Sequence, residues 1–105
     1  MEITGQREEE KLILRIEGRL DTATSPQLEQ ELGERLDGVR ELVLDFTPLG
    51  YISSAGLRVL LAAHKKMEKQ EGRLVIRGAN EGVREVFIVT GFMDILHVEW
   101  EQIIG

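Results

Sequence analysis

The segment Leu49-Gly50-Tyr51-Ile52-Ser53-Ser54-Ala55-Gly56-Leu57-Arg58-Val59-Leu60 decides the fold. A buried strand runs into it and an amphipathic helix runs out of it. From Ala55 onward Leu57, Leu60, Leu61, His64 and Met67 recur at spacings of three and four, which places them on one helical stripe. Two serines stand at the junction. A strand-to-helix junction presents free backbone N–H groups and the positive end of a helix dipole. Serine is favoured there because its oxygen accepts a bond from an orphan N–H. A phosphate would be held by the same donors and the same dipole. The pair therefore reads either as a plain helix cap or as a modifiable switch.

Downstream, Lys65, Lys66, Glu68 and Lys69 mark the solvent side of this helix, and Gly72 is its stop signal. Arg73 to Arg77 encloses Leu74-Val75-Ile76, a short buried strand. Asn80 suits the cap of a further helix with Val83, Val86, Phe87 and Thr90 inward, ended by Gly91 with Phe92 packing back. Ile95 to Val98 reads as a last short strand, and Trp100 to Ile104 as a final helical turn.

Upstream, Glu41 to Phe46 carries Leu42-Val43-Leu44, the continuous apolar run of a central strand with both faces covered; Thr47-Pro48 ends it. Before it, Thr24 or Ser25 can cap a helix with Pro26 at its start and Leu28, Leu32 and Leu36 on one face, closed by Asp37-Gly38. Lys11 to Glu17 is a strand that Gly18 ends or bulges, and Ile3 to Gln6 is a short edge strand across the charged turn Arg7-Glu8-Glu9-Glu10. The order is β-β-α-β-α-β-α-β. Such alternation implies right-handed crossovers, and hence a single α/β domain over residues 1–105. Its central sheet is expected to be mostly parallel, with four to five strands and three to four helices.

Composition narrows the function. A chain of 105 residues with 42% hydrophobic and 30% charged residues suits one globular domain with its own core. The absence of cysteine excludes a disulfide framework, a thiolate zinc site and a thiol nucleophile. A net charge of −6 disfavours nucleic acid as a partner. No apolar run is long enough to span a bilayer and no signal peptide is seen, so the cytoplasm is the expected compartment, without membrane insertion. A monomer is expected, since no long exposed apolar face is evident.

Ser54, His64 and Asp45 are the residue types of a hydrolase triad, but their spacing argues against one. A nucleophile elbow needs glycine two before and two after the serine, and Ile52 occupies the first position. His64 lies ten residues along the helix, about 15 Å from Ser54 at the helical rise, out of hydrogen-bond reach. His97 is the only other histidine, and two histidines without i, i+4 pairing make a poor metal set. No Gly-Lys-Ser/Thr follows to make a P-loop. No catalytic residue, metal or cofactor is therefore expected. What remains is Ser53-Ser54 at a helix start, with Asp21 and Asp45 at neighbouring strand ends on the edge where open α/β sheets gather their sites.

Ile52-Ser53-Ser54-Ala55-Gly56-Leu57-Arg58-Val59-Leu60 resembles the signature of the STAS domain, the family of bacterial anti-sigma factor antagonists. Gly18-Arg19-Leu20-Asp21, Leu42-Val43-Leu44-Asp45-Phe46 and Thr90-Gly91-Phe92 match other family segments in order, so the resemblance covers nearly the whole chain. It implies a phosphorylation-switched binding module in a partner-switching pathway of transcription control. The unphosphorylated form would bind an anti-sigma factor that is also a serine kinase, releasing a sigma factor or another target, and a PP2C-like phosphatase would reset it. Aligned on Ala55-Gly56, the phosphoacceptor is Ser54, with Ser53 as second choice, standing where many members have aspartate. Asp21 matches the family's acidic residue near the acceptor, and Ser53, Gly56, Leu57 and Arg58 complete the expected partner-binding surface. The same resemblance allows a second role, a structural subunit of a transport or signalling complex without a phospho-switch. A small hydrolase using Ser54 is a third and weaker alternative.

Overall fold

A ten-residue strand, Lys11–Leu20, is the spine of the sheet. In chain order the elements are β1 (Glu2–Glu8), β2 (Lys11–Leu20), α1 (Ser25–Arg35), β3 (Glu41–Asp45), β4 (Leu49–Ile52), α2 (Ser54–Lys69), β5 (Arg73–Arg77), α3 (Glu81–Thr90), a 3-10 turn (Phe92–Asp94) and β6 (His97–Glu99). The structure is a computed structural model and describes residues 1–99. The helical turn expected over Trp100 to Ile104 lies outside them. The main sheet runs β1-β2-β3-β5-β6, with β1 antiparallel to β2 and the other pairings parallel.

The α/β class, the parallel sheet and the three helices agree with the sequence reading. The sheet has six strands, however, and the one that was not anticipated is β4, inside the deciding segment itself. Thr47-Pro48 does interrupt the strand begun by β3. Proline has no N–H for a ladder, and the Asp45 carboxylate accepts from the backbone N–H (3.0 Å) and hydroxyl (2.6 Å) of Thr47 to form a turn. The chain then resumes beside β2. β3 pairs with Lys11 to Arg15, and β4 pairs with Gly18 to Leu20. Gly18 makes this possible: at φ 107° it adopts backbone that other residues rarely enter, and the register shifts between Gly18 and Arg19. Gly18 thus bulges β2 rather than ending it.

The core lies on one face of the sheet. Leu12, Leu14, Ile16 and Leu20 of β2, with Leu42, Leu44, Leu74 and Ile76, join one cluster with Leu28 and Leu32 of α1, Leu57, Leu60 and Met67 of α2, and Val83 and Phe87 of α3. The sequence reading placed β3 under cover on both faces, and Leu42, Val43 and Leu44 are all buried, but the two faces are covered differently. Val43 and Val75 point to the opposite face by strand alternation and are buried outside that cluster. They are bracketed by charged rows in register. Lys11, Glu41 and Arg73 form one row, ion-paired at 3.5 and 2.7 Å, and Arg15 and Asp45 pair in the other at 3.4 Å. Three apolar residues in a row cannot tell helix cover from such a rim of long charged side chains.

Helix ends follow their local chemistry, with corrections. Asn80 caps α3 by accepting from Val83 N–H at 2.8 Å, and Gly91 closes it at φ 80°. Thr24 holds the cap position of α1 but makes no side-chain cap bond there, and α1 stops at Arg35, short of Asp37-Gly38. Thr90 is exposed rather than inward, its hydroxyl turned back to Val86 C=O at 2.7 Å. The end of α3 and the turn after it expose Ile88 (56%), Val89 (71%) and Ile95 (44%), three apolar side chains whose exposure the sequence reading did not register.

Candidate functional site

All three helices begin where a parallel strand ends, so their N-termini gather at one end of the sheet. Between the ends of β2 and β4 the chain brings Leu20 opposite Ile52. The N–H of Ser53 continues that ladder by donating to Leu20 C=O at 2.9 Å. Ser53 is extended (φ −102°, ψ 176°), its C=O accepts the first helical bond from Leu57 N–H at 3.0 Å, and its hydroxyl accepts from Gly56 N–H at 3.4 Å. It is the N-cap of α2.

Ser54 is the first residue of the helix and is exposed. Its hydroxyl has no hydrogen-bond partner among the described residues. The two adjacent serines thus have different tasks. The hydroxyl of Ser53 is spent on the backbone, while that of Ser54 faces solvent over donors and a dipole that favour negative charge.

Asp21 sits one residue past Leu20, beside this helix start. Its Oδ1 accepts from the N–H groups of Ala23 (3.0 Å) and Thr24 (3.1 Å) and from the Thr24 hydroxyl (3.1 Å), and Arg19 Nε approaches Oδ2 at 3.8 Å. The Thr24 N–H foremost, then the Thr24 hydroxyl, the Ala23 N–H and the charge of Arg19, hold the carboxyl below the usual aspartate range against an opposing desolvation. The group is therefore an anion at neutral pH. Thr24 is committed to this loop: its hydroxyl accepts from Asp21 N–H at 2.9 Å and donates to Arg19 C=O at 2.7 Å, which is why it does not cap α1.

Arg19 and Tyr51 are register partners on β2 and β4, and the guanidinium carbon stands 4.3 Å from the ring centroid. Both are exposed, a preformed cation–π pair close to Ser53. Sequence reasoning did not single out this pair. The signal was the aromatic Tyr51 two residues before the serines, but without β4 there was no register to set it against Arg19.

The other expected site residues divide. Arg58 is exposed on the first turns of α2. Gly56 and Leu57 are buried, Leu57 at 6% exposure, so they present no contact surface and instead seat the helix. Asp45 ends β3 at the carboxyl edge of the sheet, in register with Arg77 at the end of β5, but it falls short of the end of β2 beside which Ser53 and Ser54 stand. Its register partner on β2 is Arg15, six residues before Asp21, and it serves the Thr47 turn and an ion pair. His64 is half-buried ten residues along α2 and approaches Glu68 at 3.4 Å, and His97 is exposed on β6, so the residue types of a triad are not brought together. Among the described residues no group of three or more His, Cys, Asp or Glu could hold a metal ion, and no helix is long and apolar enough to cross a membrane.

Comparison with known proteins agrees with the fold. The STAS domain family profile matches residues 2–101. A Bordetella bronchiseptica protein, BtrV, named as a candidate anti-sigma factor antagonist, is 41% identical over 99 residues, spanning 93% of this chain and 85% of the relative. The anti-sigma-B factor antagonist of Staphylococcus aureus is 30% identical over 86 residues, 81% of this chain and 80% of its own. Among solved structures, the anti-sigma factor antagonist SpoIIAA in its unphosphorylated form superposes with a TM-score of 0.75 at 17% identity, covering 96% of this chain and 90% of its own. The phosphorylated form of SpoIIAA, described as a Bacillus cell fate determinant, superposes at 0.73. With its profile match over residues 2–101 and a relative 41% identical across 93% of its length, the chain belongs to the STAS domain family.

Proposed function

We propose that the chain is an anti-sigma factor antagonist, a binding module that is switched by phosphorylation of Ser54 and has no catalytic activity of its own. Its unphosphorylated form binds an anti-sigma factor that is also a serine kinase and so frees a sigma factor or another target. A PP2C-like phosphatase restores that form. The names of the relatives support the partner class. The observation that carries the choice of residue is the division of labour at the helix start: Ser53 caps α2, and Ser54 offers an exposed, uncommitted hydroxyl. The docking surface in this reading comprises Ser54, Asp21, Arg58 and the edge of Ser53, with the Arg19–Tyr51 pair adjoining it.

The physics of the switch is local. A phosphate adds about −1.5 to −2 charges at neutral pH. The helix start tolerates that charge, so the fold is retained. Beside ionised Asp21 and under a partner, the same charge is repelled and must be desolvated, so binding is lost. The module acts in the cytoplasm as a monomer. Sedimentation tests the last point, because the exposed Ile88, Val89 and Ile95 are the surface that self-association would use.

Intact mass and phosphosite mapping of the protein from its native cells is the deciding experiment. Phosphate on Ser54 is expected. Phosphate on Ser53 alone would keep the function and move the switch by one residue. A protein that carries no phosphate under any growth condition, and co-purifies with one fixed stoichiometric partner, would refute the switch.

A further inference from the structure

Arg58 is four residues after Ser54 on α2, so the two side chains share a helix face with Cβ atoms about 5–6 Å apart. Helical side chains lean toward the N-terminus, which carries a long arginine at this position back over the turn that begins with Ser54. Arg58 is exposed and makes no ion pair among the described residues. It lines a shallow cleft between α1 and α2 with Thr22, Ser25, Glu29, Ala55 and Val59, and even Glu29 in that cleft is not its ion-pair partner. Beside this helix start also stand Asp21, whose Oδ1 is taken by loop donors, and Arg19, engaged with Asp21 and Tyr51. One uncommitted guanidinium therefore stands within one helical turn of the one uncommitted serine hydroxyl.

We propose that Arg58 is the internal counter-ion of a phosphate on Ser54, so that modification draws this arginine back onto the helix start and withdraws it from the partner-facing surface. Arginine presents planar paired donors suited to phosphate oxygens. The switch then removes two contacts for one modification: it adds a repelled anion and takes away an available cation. This inference rests on the Ser54 reading of the function, yet its test does not depend on any kinase.

The test uses the full chain with phosphoserine encoded directly at position 54, and titrates the phosphate by 31P NMR. Free phosphoserine has a second pKa of about 6, and a paired arginine favours the dianion. Arg58→Gln is expected to raise that pKa by about half a unit, a roughly threefold change in proton affinity. Lys65→Gln removes the same charge from the same helix, about 16 Å from Ser54 along the axis and beyond a Debye length of about 8–10 Å. It is expected to leave the titration unmoved. Superimposable titrations of the parent and the Arg58 variant would overturn the proposal, as would an equal shift in the Lys65 variant, which would mean net charge alone. If native phosphosite mapping finds Ser54 unmodified while the encoded phosphate still pairs with Arg58, the functional reading fails and the chemistry described here survives.

Discussion

Gly56→Ala is the sharpest probe of how α2 is seated. A Cβ at Gly56 would stand 2.8 Å from Leu20 Cγ, 2.9 Å from Ile52 Cγ1 and 3.1 Å from Leu20 Cδ2. Leu20 is 0% and Ile52 2% exposed, so neither can swing into solvent. Relief must come from moving the helix start away from β2 and β4. Overpacking of this kind costs about 1–3 kcal/mol, and two contacts below 3.0 Å with a third at 3.1 Å put it in the upper half of that range. Alanine returns up to about 1 kcal/mol of helix propensity, leaving a net loss of about 1–2 kcal/mol. That corresponds to a fall in Tm on the order of 5–15 °C for a domain of this size. Gly33→Ala is the internal control. Gly33 lies inside α1, is exposed, and a Cβ there meets nothing within 4 Å. It should stabilise by about 0.5–1 kcal/mol. Urea unfolding followed by circular dichroism reads both, with the slope unchanged. If Gly56→Ala unfolds within about 0.5 kcal/mol of the parent, or Gly33→Ala moves in the same direction, the claim that Gly56 is dictated by close approach is wrong.

Other expectations concern the caps and the acids. Ser53→Ala should cost about 0.5–1 kcal/mol, the low end for a lost cap because its bond is long at 3.4 Å, whereas Ser54→Ala should stay within about 0.5 kcal/mol of the parent; reversed effects would exchange the roles given to the two serines. Asn80→Ala should cost more, about 2 kcal/mol, since the amide both caps Val83 N–H and donates to Leu49 C=O at 3.0 Å, tying α3 to β4; chemical denaturation checks this. Asp21 and Glu41 both titrate below their ordinary values in the folded chain, Asp21 chiefly through Thr24 N–H and Glu41 chiefly through Arg73. The unfolded chain therefore binds their protons first, and their contribution is present in full above the ordinary values of 3.8 and 4.5 and is lost as pH falls through the lower folded ones. Asp21→Asn and Glu41→Gln should each flatten the acid limb of a stability–pH curve below about pH 4.5, and an unchanged limb would remove the carboxylate role assigned here.

Much of this molecule is legible in one dimension. The three helices announce themselves by leucine and valine spacing, Asn80 and Gly91 by cap chemistry, and the parallel sheet by the alternation of short apolar runs with those helices. Each is a local property, set within one or two turns of chain, which is why a single sequence carries it. The serine pair was visible for the same reason, as helix-start residues after an apolar run.

What depended on tertiary structure is whatever needs two distant segments in register. β4 is a strand only because the Gly18 bulge lets β2 turn from β3 to a second partner, and no pattern within Leu49–Ile52 declares that. From that pairing follow the Arg19–Tyr51 contact, the placement of Asp21 beside Ser53, and the removal of Asp45 to another level of the sheet. The same pairing turned Gly56 from expected surface into the seat of the helix, because Leu20 and Ile52 converge on it, while Leu57 joins the core. The identities of the site residues were written in the chain; which of them are free to meet a partner was decided by the long-range hydrogen bonds that spend the others.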